Sequence, residues 1–107
     1  MGDMGTLIKS VVTRVLKKHG IEPMRIILFG SRVRGDFSKE SDWDILIIAK
    51  EKAPYRKILK VNGDIRRELA PRGIAIDILM ISKEDIERVK DDKGYVYYYA
   101  LREGKTL

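Results

Sequence analysis

Three short apolar runs with the residue types of β-strands constrain the fold of this chain most strongly. They lie at residues 26–29, 43–48 and 74–81. Amphipathic segments with helical periodicity come before the first run, between the second and third runs, and twice after the third. The order helix, strand, strand, helix, strand, helix, helix predicts an α/β (α+β) fold, a small mixed β-sheet covered by helices.

Helix boundaries are marked by glycine, proline and a capping pattern. The first helix is expected to end near Gly20, and the second covers residues 55–69. Ser82, followed three residues later by Asp85, predicts a helix start of the capping-box type. The last helix is expected at residues 95–102.

The length and composition are those of one globular domain, residues 1–107. Hydrophobic residues make up 44% and charged residues 36% of the chain, which excludes a disordered polypeptide. No apolar stretch approaches the roughly 20 residues that span a bilayer, and residues 1–10 lack the features of a secretory signal. We therefore expect a cytoplasmic protein without a membrane partner.

Composition also limits the metals that the chain can bind. The chain has no cysteine and one histidine, so a disulfide scaffold, a cysteine nucleophile and a thiolate zinc site are excluded. Any metal must be held by oxygen ligands, which favours magnesium, manganese or calcium.

The net charge of +6 has two interpretations. It is compatible with binding of nucleic acid, nucleotide phosphates or an acidic protein. It is equally typical of heat-adapted proteins, in which both signs of charge are abundant.

Three aspartates within strand-type sequence are the candidate catalytic residues. Asp42 and Asp44 flank one residue at the start of the second strand, so period-two alternation places both on one face. Asp77 lies within the third strand, where burial of an ionised carboxylate requires a cation or an ion pair with, for example, Arg32 or Arg34. If the two strands are neighbours, all three carboxylates can converge on one or two magnesium ions.

The turn after the first strand supplies candidate phosphate ligands. Gly30 allows the backbone to approach a phosphate closely, and amides at Gly30-Ser31 can point toward an anion. Arg32 and Arg34 are candidates for charge-assisted contacts to the same phosphates. Each feature alone is common in turns and strand edges, and only their combination indicates phosphoryl or nucleotidyl transfer.

The spacing of these residues resembles the signature of a known enzyme family. Gly30-Ser31, ten intervening residues and Asp42-Trp43-Asp44 match the pattern of minimal nucleotidyltransferases in the DNA polymerase β superfamily. The segments LFGSRVRGDFSKESDWDILI, AIDILMI and YALREGKTL are similar to this family. The resemblance implies a polymerase-β-type fold. A terminal strand that some members carry would be short in this chain, which ends soon after Gly104.

The resemblance also implies roles for individual residues. Asp42, Asp44 and Asp77 would be catalytic and hold Mg²⁺, with Mn²⁺ as an alternative, and Asp77 would assist deprotonation of the attacking hydroxyl. Gly30 and Ser31 would bind the triphosphate of ATP or another NTP. Trp43 departs from the smaller aliphatic residue common at its position.

The acceptor is the least specified part of the reaction. Minimal nucleotidyltransferases are commonly partners of HEPN-family toxins, so the resemblance implies an antitoxin that transfers AMP from ATP to a tyrosine of such a toxin. One alternative is transfer to a small molecule or an RNA end, for which the positive charge would recruit the acceptor. Another is a catalytically silent module that neutralises its partner by contact. As a partner, nucleic acid is less favoured than protein.

Two further features have structural and functional interpretations. Tyr95, Tyr97, Tyr98 and Tyr99 are expected to pack alternately on the sheet, while a protein interface, adenine stacking or self-modification are alternatives. His19 is expected to cap a helix or to face solvent.

Overall fold

A mixed four-stranded sheet with helices on both faces forms the core in a computed structural model of the protein, which describes residues 2–107 and the side chains from Met4 onward. Residue 1 of the predicted domain lies outside the described residues. The helices are α1 (Gly2–Lys18), α2 (Ser31–Arg34), α3 (Tyr55–Leu69), α4 (Lys83–Val89) and α5 (Val96–Glu103), with a 3₁₀ turn at Ala70–Arg72. The strands are β1 (Pro23–Phe29), β2 (Trp43–Ala49), β3 (Ile76–Ser82) and β4 (Lys105–Thr106).

The strand order is β3-β2-β1-β4. Strand β2 pairs in parallel with β3 and antiparallel with β1, and β4 adds an antiparallel edge to β1. The connection from β2 to β3 contains α3, as a parallel pairing requires a crossover long enough for a helix. The N-terminal ends of β2 and β3 and the C-terminal end of β1 therefore meet at one end of the sheet.

Both faces of the central strand are buried. Ile45 and Ile47 belong to a core covered by α1 and α3, while Leu46 and Ile48 belong to a second core covered by α4 and α5. A strand buried on both faces reads as a continuous apolar run instead of an alternating one. This explains why the sequence around residues 45–48 is uninterrupted by polar residues.

The structure confirms the predicted mixed sheet and its helical cover. Strand β3 begins at Ile76, two residues later than expected, and the short helix α2 was not predicted. The Ser82 side chain accepts a hydrogen bond of 3.1 Å from the Asp85 amide, which confirms the predicted cap. Within residues 2–107, no helix is both long and apolar enough to cross a membrane.

The position of His19 differs from the expectation of a capping or solvent-facing residue. Its side chain is only 17% exposed, and its Nε2 lies 2.7 Å from the Asp64 carboxylate of α3. Lys18 and Arg67 also pair with Asp64. The hydrogen bonds from His19 and then Arg67 lower the pKa of Asp64 to about 2, so this cluster joins α1 to α3 through an ionised carboxylate.

Replacing Asp64 should therefore destabilise the protein in a pH-dependent way. The pKa of Asp64 is lower in the folded protein than the value of about 3.9 in an unfolded chain. Its stabilising contribution is then fully present above about pH 4 and is lost as the pH falls through about 2. Urea unfolding across this range should show that Asp64→Asn loses stability at neutral pH and that its difference from the wild type shrinks on acidification.

The matched control is Asp91→Asn, since Asp91 is exposed in the loop before α5. This control should remain within about 0.5 kcal/mol of the wild type at each pH. An Asp64→Asn deficit of equal size at every pH would contradict the role given to the ionised carboxylate.

Gly104 allows the end of α5 to lie directly on the sheet. A Cβ atom at this position would be 2.3 Å from the Ala100 carbonyl oxygen and 2.4 Å from Ile27 Cγ2. The following residues then pair with β1, where Lys105 lies opposite Leu28. The absence of a side chain at Gly104 thus fixes where the last turn of α5 meets β1.

We expect Gly104→Ala to destabilise the protein by about 1–3 kcal/mol, because an extra methyl group must displace packed backbone. Gly63→Ala is the control, since a Cβ there would meet only the flexible Arg67 side chain at 3.4 Å. Because alanine is the better helix former, Gly63→Ala should stabilise α3 by roughly 0.5–1 kcal/mol. Chemical denaturation measures the free energy of unfolding of both variants. An unchanged free energy of unfolding in Gly104→Ala would contradict the close packing.

Candidate active site

The parallel pairing of β2 and β3 places two of the candidate aspartates side by side. Asp44 lies directly opposite Asp77 in the register of these strands, whose backbones are separated by about 4.8 Å in such sheets. Asp42 is exposed and immediately precedes β2. The structure therefore brings the three residues to the same end of the sheet, as the sequence predicted for neighbouring strands.

Side-chain alternation puts these carboxylates on the face covered by α4 and α5. Trp43 packs into the opposite core beneath α1 and α3, so Asp44 points toward the other face. On that face the next residues inward are Leu46 from β2 and Leu79 from β3, both of which pack in the second core. The apolar core ends where the acidic cluster begins.

Gly30 completes the cluster from the end of β1. Its φ of +81° lies in the region that favours glycine. A Cβ at this position would lie 2.2 Å from Asp44 Oδ2, so the Asp44 carboxylate fills the space that a side chain would need. The Gly-Ser turn and the Asp-x-Asp motif, which are separate in sequence, are therefore in direct contact.

The electrostatics of Asp44 reflect this crowding. Its partial burial raises the pKa of its carboxyl group above the ordinary value, and the negative charges of Asp77 and Asp42 raise it further. Arg34 acts in the opposite direction. Ionised Asp44 is thus disfavoured by its surroundings, an arrangement that a bound cation would reverse.

The donor chemistry of the cluster fits a divalent cation held by oxygen atoms. Among the residues that the structure describes, no group of three or more acidic, histidine or cysteine side chains is already arranged to hold a metal ion. Asp42, Asp44 and Asp77 instead form an open cluster with mutual repulsion on Asp44.

Asp77 is more accessible than its sequence context indicated. Its side chain is 59% exposed, so the expectation of a buried carboxylate is wrong; β3 is an edge strand and Asp77 lies near its open end. Its nearest cation is Arg66, with 3.6 Å between Nη2 and Oδ1. This replaces the ion pair with Arg32 or Arg34 that the sequence left open.

Arg32 holds the loop that leads to Asp42. Its guanidinium lies 4.7 Å from the ring centroid of Phe37 and 4.5 Å from that of Trp43. Its Nη2 donates a 2.9 Å hydrogen bond to the Ser41 carbonyl. These contacts tie Arg32 to the loop, while its Nε is buried without a hydrogen-bond partner among the described residues.

Arg34 and Glu103 contact each other beside the Gly30 turn. Arg34 pairs with Asp36 at 3.4 Å and with Glu103 at 3.1 Å. The Gly30 amide also donates a hydrogen bond to Glu103 Oε1, at 3.3 Å. Sequence reasoning missed Glu103, whose only signal was its position before the glycine that ends the last helix.

Comparison with known families identifies the fold and its chemistry. The sequence model of the family described as "Polymerase beta, Nucleotidyltransferase" matches residues 11–107. The chain belongs to this family. It is therefore a nucleotidyltransferase, and the family implies a nucleoside triphosphate as substrate.

Several relatives carry a more specific name. A protein of Methanocaldococcus jannaschii named "Putative protein adenylyltransferase" is 49% identical over 100 residues, covering 94% of this nucleotidyltransferase and 93% of the relative. A second protein of that name and organism is 35% identical over 86 residues, and the match spans 78% of this chain but 58% of the relative. A third is 50% identical over 40 residues, or 35% of this chain and 40% of the relative.

A solved structure supports the fold. A crystal structure described as a "putative nucleotidyltransferase" from Sulfolobus solfataricus superposes with a TM-score of 0.50 at 24% identity. The superposition covers 94% of this nucleotidyltransferase and 76% of the other chain. It agrees with the polymerase-β-type fold.

We expect Asp44→Asn to stabilise the metal-free protein. A neutral side chain of the same shape removes the repulsion from Asp42 and Asp77. Because the raised pKa disfavours the ionised form in the folded state, the contribution of Asp44 to stability is lost as the pH rises through that pKa. At pH 7 with a chelator, the free energy of unfolding should rise by about 0.2–1 kcal/mol.

The control is Asp36→Asn, which makes the same chemical change at a carboxylate paired with Arg34. This variant should show no gain in the free energy of unfolding. Thermal and urea unfolding provide the comparison, and destabilisation by Asp44→Asn at pH 7 would contradict the repulsive cluster.

Proposed function

We propose that this nucleotidyltransferase is a magnesium-dependent protein adenylyltransferase that transfers AMP from ATP to a tyrosine hydroxyl of a HEPN-family partner and thereby acts as an antitoxin. The contact between the Gly30 turn and Asp44, with Asp77 opposite, is the observation that carries the catalytic part of the proposal. The names of the relatives, protein adenylyltransferases, support ATP as donor and a protein as acceptor.

The reaction exchanges one phosphorus–oxygen bond for another and moves one proton. The acceptor oxygen attacks the α-phosphorus of ATP, and the bond between that phosphorus and the pyrophosphate oxygen breaks. The hydroxyl proton passes to the Asp77 carboxylate, which is open to solvent and lies at the edge of the sheet. Pyrophosphate leaves with the electron pair of the broken bond.

The chain's own residues position the donor. Gly30 has no side chain to hinder a phosphate at the turn, and Ser31 and Arg34 lie beside it as further contacts for the triphosphate. Asp42, Asp44 and Asp77 would hold magnesium, or manganese in its place. When bound there, the ion supplies positive charge that neutralises the triphosphate and the departing pyrophosphate.

An exposed aromatic surface on α5 supports a protein acceptor. Tyr95, Val96 and Tyr99 are each about half exposed, at 47%, 46% and 51%. Helix α5 ends at Glu103, which contacts the Gly30 turn. Exposed tyrosines suit partner binding because they bury large area with little loss of side-chain entropy. A partner docked along α5 would reach the Gly30 turn, which contacts both Glu103 and Asp44.

Labelled ATP tests this proposal. The purified chain, magnesium and a HEPN-family partner should yield a partner that carries AMP on tyrosine, as identified by mass spectrometry. Asp42→Ala and Asp44→Asn should each reduce transfer about a hundredfold or more, since each removes a carboxylate from the metal-binding set. Circular dichroism confirms that both variants fold.

The matched control is Asp91→Asn, which should retain wild-type transfer because Asp91 is an exposed loop residue. Transfer retained by both Asp42→Ala and Asp44→Asn would contradict the catalytic assignment. Labelling of RNA instead of protein would contradict the acceptor and favour an RNA end, for which the net charge of +6 provides attraction. An unmodified but inhibited partner would favour a module that acts by contact.

A further inference from the structure

Glu103 occupies the donors that a nucleotide phosphate would use. Its Oε1 accepts a hydrogen bond of 3.3 Å from the Gly30 amide and lies 3.1 Å from Arg34 Nη1. A carboxylate oxygen with one amide and one guanidinium donor has the contacts of a bound phosphate oxygen. The Glu103 side chain is 30% exposed, so it can rotate away into solvent.

The backbone of Glu103 is held in place at this position. Gly104 lies against the Ala100 carbonyl and Ile27 without room for a side chain. Lys105 pairs with Leu28, and the Leu107 amide donates a 2.9 Å hydrogen bond to the Ile26 carbonyl. The backbone of Glu103 is therefore fixed, and its side chain can move. The side chain stays next to the Gly30 turn whether it bonds the Gly30 amide or points into solvent.

We propose that Glu103 is a displaceable internal stand-in for the nucleotide triphosphate, a role that rests on the proposed use of Gly30 and Arg34 for nucleotide binding. Without nucleotide, Glu103 saturates the Gly30 amide and neutralises Arg34. Incoming ATP displaces the carboxylate and takes over both donors. Glu103 thus lowers the affinity for nucleotide, and it limits binding to ligands with enough phosphate charge to compete.

Two physical effects of the Glu103 carboxylate lower the affinity for nucleotide. A site that is free only part of the time has its apparent affinity reduced by the fraction that is competent to bind. The displaced carboxylate also stays close to the triphosphate and repels it. Removal of the Glu103 charge should therefore tighten nucleotide binding. If Glu103 instead aided nucleotide binding, its removal would weaken it.

Direct binding of a non-hydrolysable ATP analogue tests this inference without any acceptor. Isothermal titration calorimetry, with magnesium and separately with a chelator, compares the wild type with Glu103→Gln. The variant should bind the analogue roughly three- to tenfold more tightly in both conditions. Inorganic triphosphate should show the same gain, and AMP, with its single phosphate, a smaller one.

Two control variants separate the local effect from overall charge. Glu87→Gln removes the same charge from α4, where Glu87 pairs with Lys90, and should leave the affinity unchanged. Asp36→Asn removes a negative charge from Arg34 without touching the Gly30 amide, and should give a smaller gain than Glu103→Gln. Equal gains from Asp36→Asn and Glu103→Gln would overturn the inference, since charge near Arg34 alone would explain them.

Amide NMR provides a second readout. The Gly30 resonance should shift in Glu103→Gln, and addition of the analogue to the wild type should shift it again. Unchanged or weaker binding by Glu103→Gln would overturn the inference. If Glu103→Gln bound the analogue more weakly only in the presence of magnesium, Glu103 would be identified as a metal ligand, and this result would also overturn the inference.

The outcome is separable from the test of the proposed function. Equal binding by wild type and Glu103→Gln overturns the stand-in role but leaves adenylylation intact. Tighter binding by Glu103→Gln together with an unmodified partner supports the stand-in role and overturns adenylylation. No binding by either chain overturns both.

Discussion

The in-register parallel pairing of β2 and β3 is the constraint on which the rest of the structure depends. Strand β2 is buried on both faces. A shift of its register by one residue would exchange the two apolar faces and point the Asp44 side chain into the core beneath α1 and α3. The same register sets Asp44 opposite Asp77. The apolar interior thus positions the carboxylates, although it gains nothing from their charge. The raised pKa of Asp44 shows that the ionised carboxylate is disfavoured by its burial and by the charges of Asp77 and Asp42.

The site draws on distant parts of the chain that meet at one end of the sheet. Antiparallel pairing brings Phe29 opposite Asp44, so the turn after β1 closes over the acidic pair. The close approach at Gly104 brings Glu103 to the same turn from the other side. Acidic and basic groups are consequently interleaved: Arg34 and Arg66 lie beside carboxylates that would otherwise repel both each other and a triphosphate. In the proposed function, nucleotide binding would exchange these internal ion pairs for contacts with phosphate.

Local sequence patterns predicted the features that depend on residues close together in the sequence. The continuous apolar run of β2, the Ser82 cap and the Gly30-Ser31 turn each follow from neighbouring residues, and the spacing of Asp42 and Asp44 follows from strand geometry. The exposure of Asp77 was missed because it depends on which strand forms the edge of the sheet. The His19–Asp64 and Gly30–Glu103 contacts join residues 45 and 73 positions apart. No local pattern encodes contacts over such sequence separations, and the close packing at Gly104 that brings Glu103 to the Gly30 turn was not predicted either.

Paramagnetic NMR with Mn²⁺ tests the central claim most directly, namely that Asp42, Asp44, Asp77 and Gly30 form one site for metal and nucleotide. In ¹⁵N-labelled protein, substoichiometric Mn²⁺ with a non-hydrolysable ATP analogue should broaden the amide resonances of these residues first. The effect should decline along β2 and β3 toward α4, because broadening falls steeply with distance from the ion. Broadening centred on other carboxylates, such as Asp91 and Asp92 in the loop before α5, with Asp44 and Asp77 unaffected, would contradict the account.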